Sequence, residues 1–249
     1  LTQYFPPETG APQNRLFAMA KALVDRGAEV TVLTAMPNYP DMRIQEAYRG
    51  KWHLRTQESG MTVHRVWLLV SQQRSILWRL ANYFSFVFTA LVVGLFKLRR
   101  SDVLLVESPP LFLGITAMLL ARAKGARLVF NVSDLWPESA VQLGLVTNRW
   151  MIGASTWLEE LCYRKASLIT GQTKGIVANI QQRMPHKEVL WVPNGVDLEA
   201  IGQAEQAGDP EAARARLGIA PNDLVLTYAG IIGHAQGLEV VLQAADRLR

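Results

Sequence analysis

One cysteine, Cys162, and four histidines are all that the 249 residues contain of those two types. A lone cysteine excludes an internal disulfide and any thiolate-rich metal site, and it suits a reducing compartment. His53, His64, His186 and His234 show no metal-ligand spacing, so no metal is expected. His53 and His64 read as strand or surface residues with no assigned role. A third scarcity is local. Residues 59–101 contain no Asp or Glu, yet they hold Arg65, Arg74, Arg79, Lys97, Arg99 and Arg100. The most apolar run of the chain, residues 80–96, lies inside that stretch. Basic, acid-free sequence around apolar aromatic surface suits an anionic membrane face. It is too apolar for a phosphate-tracking patch, so nucleic acid is not an expected partner. The run is shorter than the roughly 20 residues a membrane span needs, and it includes Asn82, Ser85 and Thr89. A partly buried, membrane-touching helix is therefore expected rather than a span. Its membrane-facing candidates are Arg74, Trp78, Arg79, Phe84, Phe88, Lys97, Arg99 and Arg100. Trp52 and Trp67 either anchor beside them or pack.

The chain is 49% hydrophobic and 19% charged, with a net charge of +5, which supports one large or two smaller globular domains. Short apolar strands alternate with amphipathic helices, the pattern of an α/β fold with a mainly parallel sheet. Leu1-Thr-Gln-Tyr4 reads as the tail of a strand. A helix is expected over 13–26, with Leu16, Met19, Ala20 and Leu23 as its apolar face and Gly27 as its stop. Strands follow at 29–34 and within 61–69, with 35–58 irregular. A long helix spans 75–98. Strand and helix then alternate to 189–192, and Pro193-Asn-Gly-Val-Asp197 ends this first unit. Residues 200–210 read as a linker. Asp209-Pro210 opens a helix, and Leu224-Val-Leu-Thr-Tyr-Ala229 reads as a new strand before the glycine-rich turn 230–237 and a last helix. The chain is expected to be an internal fragment of a longer protein.

Three features carry chemistry. The strand 127–132 breaks into Ser133-Asp-Leu-Trp-Pro-Glu-Ser139. A polar loop at the carboxyl end of a parallel strand is where such sheets bind ligands, although Ser133 or Asp134 capping the next helix explains the same residues. Two glycine-containing loops, Glu8-Thr-Gly-Ala-Pro12 and 230–237, each lead into a helix. The exposed backbone N–H groups there suit phosphate, or the loops only reverse the chain. Asn194-Gly195 supplies a tight turn at a strand end.

Pro6-Pro-Glu-Thr-Gly-Ala11 before Asn14-Arg15, Asp134-Leu-Trp-Pro-Glu-Ser139, Pro193-Asn-Gly-Val-Asp197 and Gly230-Ile-Ile-Gly-His-Ala-Gln-Gly-Leu-Glu239 occur in this order. Together they resemble a family 4 glycosyltransferase of the GT-B fold, in the bacterial subgroup of fucosamine-transferase-like enzymes that builds surface polysaccharides. The resemblance implies an amino-terminal Rossmann-like acceptor-side domain at 1–199, a linker at 200–210, and the first β-α unit of a donor-binding domain at 211–249. It implies retaining transfer of a sugar from a nucleotide-diphosphate donor to a lipid-linked acceptor in capsule, O-antigen or exopolysaccharide synthesis. The enzyme would be peripheral on the cytoplasmic face of the membrane, with neither cofactor nor metal. Asp134 and Glu138 are then the catalytic candidates. Gly10, Ala11, Asn14, Ser133, Asn194, Gly230, Gly233, His234, Gln236 and Gly237 are the binding candidates. Members of the family often have Gly where this chain has Ala11, His for Ser133, Arg for Ile231 and Lys for Gln236. A nucleotide-sugar 2-epimerase of the same fold, or a non-catalytic membrane-associated assembly partner, is the alternative. This fragment alone is expected to be inactive.

Overall fold

The computed structural model describes all residues except 74, 145, 197, 231, 234, 235, 248 and 249, and the side chains of 76 and 200. The candidates Arg74 and His234 therefore lie outside the described residues. Two compact units are present, Leu1–Gly195 and Val196–Arg249.

The first unit begins with α1 (Ala11–Asp25), β1 (Thr31–Ala35), β2 (His53–Glu58) and β3 (Met61–Val66). The long helix α2 (Ile76–Lys97) leads to β4 (Val103–Ser108), α3 (Leu113–Lys124) and β5 (Arg127–Val132). The short α4 (Glu138–Gln142), α5 (Arg149–Lys165), β6 (Leu168–Gly171), α6 (Lys174–Arg183) and β7 (Val189–Trp191) complete it. β1 pairs parallel with β3, which pairs antiparallel with β2, and β4, β5, β6 and β7 run parallel in that order. The opening residues join the two ladders. Thr2 donates its N–H to Leu33 O at 3.1 Å, and Glu107 donates to Leu1 O at 3.1 Å. β2 falls in a segment expected to be irregular. Its polar alternation, His-Leu-Arg-Thr-Gln-Glu, fits an edge strand with one solvated face.

Side chains alternate across a strand, so the sheet has two different faces. Val32, Met61 and Val63 meet Leu16 and Ala20 of α1 in a small core. Leu33, Ala35, Val66, Val106, Phe130 and Ile169 belong to the larger core, to which α2, α3, α5 and α6 contribute. The apolar face of α1 is rotated from the expected one: Gln13, Leu16 and Ala20 are buried while Leu23 is exposed. Gly27 and Gly125 adopt the left-handed conformation that stops α1 and α3.

Helix α2 is apolar all round, but it puts its polar residues inward. Asn82 donates to Leu69 O at 2.7 Å and accepts from Gln3 at 2.8 Å. Ser85 accepts from Leu69 N–H, and Thr89 donates to Trp67 O. These groups pin the segment after β3, while Leu77, Phe84, Phe88 and Leu95 remain exposed. The helix is long and apolar enough to cross a membrane, yet a third of its apolar window is buried in protein. Of the six bases in the acid-free stretch, Arg65 is not at the surface. It is 1% exposed, held by Glu58 at 2.6 Å and by Pro6 O.

The second unit contains α7 (Leu198–Ala207), α8 (Pro210–Leu217) and α9 (Glu239–Arg247). The expected linker is thus mostly helix, because its Ala, Gln and Glu residues are strong helix formers. Asp209 caps α8 by accepting from Glu211 and Ala212 N–H at 3.0 Å. Residues 224–229 do not form the expected strand. No strand is described in this unit to pair with them, and a ladder needs a neighbour to take its backbone groups. Leu224 and Leu226 are left 92% and 88% exposed.

Candidate active site at the carboxyl edge of the sheet

The register of the parallel strands puts Glu107 of β4 opposite Asn131 of β5, and Asn131 opposite Thr170 of β6. Each is the polar residue near the carboxyl end of an apolar strand. Side chains in one register row share a face, so the three form a polar ladder across the sheet. Thr170 donates to Asn131 Oδ1 at 2.6 Å, and Asn131 Nδ2 donates to Glu107 Oε2. All three are buried.

Arg15 of α1 covers this ladder. Its Nη2 donates to Glu107 Oε1 and to Ser133 Oγ at 3.0 Å, and its Nη1 donates to Asn194 Oδ1 at 3.3 Å. The Ser133 hydroxyl bonds in turn to Glu107 Oε1. The arginine and glutamate side chains are 9% and 3% exposed. Burial pushes the Glu107 carboxyl above its ordinary range, while Arg15 and the Asn131 amide pull it back towards the charged form. A buried charge persists only when paired and hydrogen-bonded, which is the arrangement here. The Arg15 Nε–H, also buried, has no hydrogen-bond partner among the described residues.

Three of the sequence motifs therefore converge on one cluster: the α1 entry through Arg15, the strand-end loop through Ser133, and the Pro193 turn through Asn194. The capping explanation of the loop fails, since Ser133 bonds to Glu107 and α4 has no side-chain cap. Asp134 is exposed and accepts from Ser139 Oγ. Glu138 is exposed and accepts from Gln142 at 3.1 Å and from Asn179 of α6 at 3.3 Å. Trp136 packs against the larger core.

The loop before α1 is also built around a carboxylate. Glu8 is buried and accepts from the N–H groups of Asn38 and Tyr39 at 2.6 and 2.8 Å. Burial raises its pKa and these N–H groups lower it. Gly10 is extended, and a Cβ there would lie 2.5 Å from Gln13 Oε1, so close approach of Gln13 favours glycine. Ala11 and Asn14 are exposed at the start of α1, which has no side-chain cap. At the ends of β6 and β7, Lys174 lies 4.9 Å from the half-exposed Trp191 ring, whose Nε1 donates to Gln172 O. In the second unit Gln236 N–H donates to Gly233 O at 3.1 Å, and Gly237 takes a positive φ just before α9. Gly230 belongs to the same loop. Among the described residues no group of three His, Cys, Asp or Glu is placed to hold a metal.

Arg15, Glu107, Asn131, Thr170, Lys174 and Trp191 were not among the expected site residues, although Arg15 stood in the motif that ends at Asn14-Arg15. The signal for Glu107, Asn131 and Thr170 is a polar residue at the second-last position of each apolar strand of a parallel sheet, since such a sheet is otherwise covered on both faces.

A carboxyl-edge site carrying an arginine, a serine hydroxyl and open helix ends can hold an anionic, hydroxyl-rich ligand. The comparisons agree with that chemistry. Residues 10–195 match the model of the glycosyl transferase 4-like domain. Over 236 residues the chain is 30% identical to the putative colanic acid biosynthesis glycosyl transferase WcaI of Escherichia coli K12. That alignment covers 93% of this chain and 58% of the relative. It is also 29% identical over 144 residues to D-inositol 3-phosphate glycosyltransferase 1 of Catenulispora acidiphila, covering 54% of this chain and 32% of that one. The chain thus spans 58% of the length of the first relative and less of the second. The matched segment contains the whole ladder, Arg15, Ser133 and Asn194, and on that match the chain belongs to the glycosyl transferase 4-like family.

Proposed function

We propose that the chain is the acceptor-side part of a retaining glycosyltransferase that moves a sugar from a nucleotide-diphosphate donor to a lipid-linked acceptor in polysaccharide synthesis. The observation that carries this reading is the meeting of Arg15, Ser133 and Asn194 on Glu107 at the carboxyl edge of the sheet. On this reading Ser133 and Arg15 face the transferred sugar or its phosphate. Asp134 orients a hydroxyl of the acceptor, and the departing phosphate takes the proton. Gly10, Ala11 and Asn14 present the open end of α1 to the acceptor. The donor diphosphate is met by backbone N–H groups of the 230–237 loop, by His234 and by basic side chains, without a metal or cofactor. The relative named for colanic acid synthesis supports an exopolysaccharide product.

The acceptor is reached from the membrane. The exposed stripe of α2, with Arg79, Lys97, Arg99 and Arg100 near it, supports a peripheral seat on the anionic cytoplasmic face. The test is transfer of radiolabelled sugar by the full-length protein from a panel of nucleotide-diphosphate sugars into a chloroform-soluble lipid extract. Label appearing in lipid with the wild type, and lost with Arg15→Ala, is the expected result. Interconversion of the nucleotide sugar without any labelled lipid would point to the epimerase instead.

A further inference from the structure

Helices α2, α3 and α5 form a continuous layer over the larger core. The Phe84 and Phe112 rings lie 4.7 Å apart, and Thr116 donates to Val87 O at 2.9 Å. A Cβ on Gly94 would fall 2.6 Å from Leu120, and Gly114 packs directly on Cys162 of α5. Contacts 84–112, 87–116 and 94–120 advance together, so α2 and α3 run parallel.

The outward side of this layer is apolar on α5 as well as on α2. Trp150 and Trp157 stand two turns apart on one side of α5, 88% and 60% exposed. Gly153 and Ala154, also exposed, lie between them on that side. Met151 is exposed next to Trp150. The buried side of the helix carries Leu158, Glu159, Cys162 and Tyr163. Nothing in the sheet or the ladder uses the two indoles.

The charges select what covers this surface. Between Glu58 and Glu159 the chain has four acids: Asp102, Glu107, Asp134 and Glu138. None lies on α2, on α3 or on α5 before Glu159. Arg79, Lys97, Arg122, Lys124 and Arg149 do lie on these helices. A second copy would bring positive helix ends to positive helix ends, and the one part-exposed acid on the three helices, Glu160, is already paired with Arg164 at 3.2 Å. Lys124 already donates to Leu95 O and Leu98 O at 2.7 Å; an anionic bilayer answers Arg79, Lys97, Arg122 and Arg149, and tryptophan is enriched where bilayer meets water.

We propose that Trp150 and Trp157 make a second membrane contact, so that the chain rests on an anionic bilayer by the α2–α3–α5 layer and not by α2 alone. This rests on the peripheral-membrane reading above. The experiment is flotation of the full-length protein with vesicles of phosphatidylglycerol and phosphatidylethanolamine, against pure phosphatidylcholine, at low and high salt. Trp150→Ala/Trp157→Ala is expected to lower the partition coefficient on anionic vesicles about tenfold or more, with an unchanged circular dichroism spectrum. Phe84→Glu/Phe88→Glu is the companion variant on α2. If the tryptophan pair leaves partitioning unchanged while the phenylalanine pair abolishes it, the α5 contact is wrong and the membrane reading stands. If the wild type fails to float with anionic vesicles, both fall. If the tryptophan variant changes the sedimenting mass without lipid and leaves flotation intact, the surface joins two copies and the proposal is overturned.

Discussion

The carboxyl edge of the sheet and the outer side of the α2–α3–α5 layer break the inside-apolar, outside-polar rule in opposite directions. At the edge an arginine and a glutamate are buried together on a polar ladder. On the helix layer, phenylalanine and tryptophan are left outside, Phe88 at 62% exposure. Scattered exposed apolar residues need no explanation, whereas a buried charge or a continuous apolar stripe does. The two departures also differ in what holds them. The buried pair is fixed by three further side chains, Asn131, Ser133 and Asn194, so it is rigid and costly to disturb. The apolar stripe is held only by its helices and can be changed with little effect on folding.

Breaking the edge should have the largest effect. Glu107→Ala leaves the Arg15 guanidinium buried and unpaired, and is expected to cost about 3–5 kcal/mol in urea unfolding. Arg15→Met/Glu107→Leu, which removes both charges, should recover most of that loss while leaving transfer activity absent. A loss under about 1 kcal/mol for Glu107→Ala would mean that the pair is not desolvated as described.

A second polar pair, His64 buried and His53 half-buried, sharpens the comparison through pH. His53 Nε2 lies 2.9 Å from His64 Nδ1 in a stacked pair on β2 and β3. Burial, with the positive charges of His53, Arg55 and Lys97, pulls the His64 pKa from 6.5 down to about 4. Above pH 6.5 the imidazole is neutral in both folded and unfolded chains. As pH falls from about 6.5 to about 4 the unfolded chain takes up a proton that the folded one refuses. Stability contributed by the neutral histidine is therefore lost across that window, by at most about 3 kcal/mol. Unfolding free energies between pH 4 and 7 for wild type and His64→Gln should differ in slope, with the variant flatter. Equal slopes would remove His64 from the account.

Smaller effects are expected on the helix layer. Gly114→Ala inserts a methyl group against Cys162 and should cost about 1–3 kcal/mol by prising α3 from α5. A neutral result would show that the layer yields easily. Phe88→Ser should change stability by no more than about 0.5 kcal/mol, yet weaken flotation with anionic vesicles. A large stability loss instead would place Phe88 in the core.

Much of the fold was legible. The alternation of apolar strands with amphipathic helices marked the parallel α/β unit. Gly27 and Asp209 marked helix ends through their own local chemistry. β2 was passed over because a half-solvated edge strand has no long apolar run; the signal left unread was the Ser59-Gly60 turn, both residues at positive φ, that folds it back onto β3. Residues 224–229 misled in the opposite sense. Apolar β-branched sequence signals strand capacity, but a strand exists only where another is paired to it. For the site, the loops carrying Ser133 and Asn194 stood out by composition, and Arg15 stood beside Asn14 in a recognisable motif. Glu107 was passed over as the end of a strand.

The sequence by itself determined the periodicities, the helix stops and the acid-free stretch, because each depends on neighbours within a few residues. It also determined membership of the family, through motifs whose order survives without coordinates. Which of those residues meet was decided only by the tertiary structure. Glu107, Asn131 and Thr170 form a row because parallel pairing sets their register, and a slip of one residue would turn each to the other face. The same packing chose the side of α2 that holds Asn82, Ser85 and Thr89, and so left its aromatic side outward.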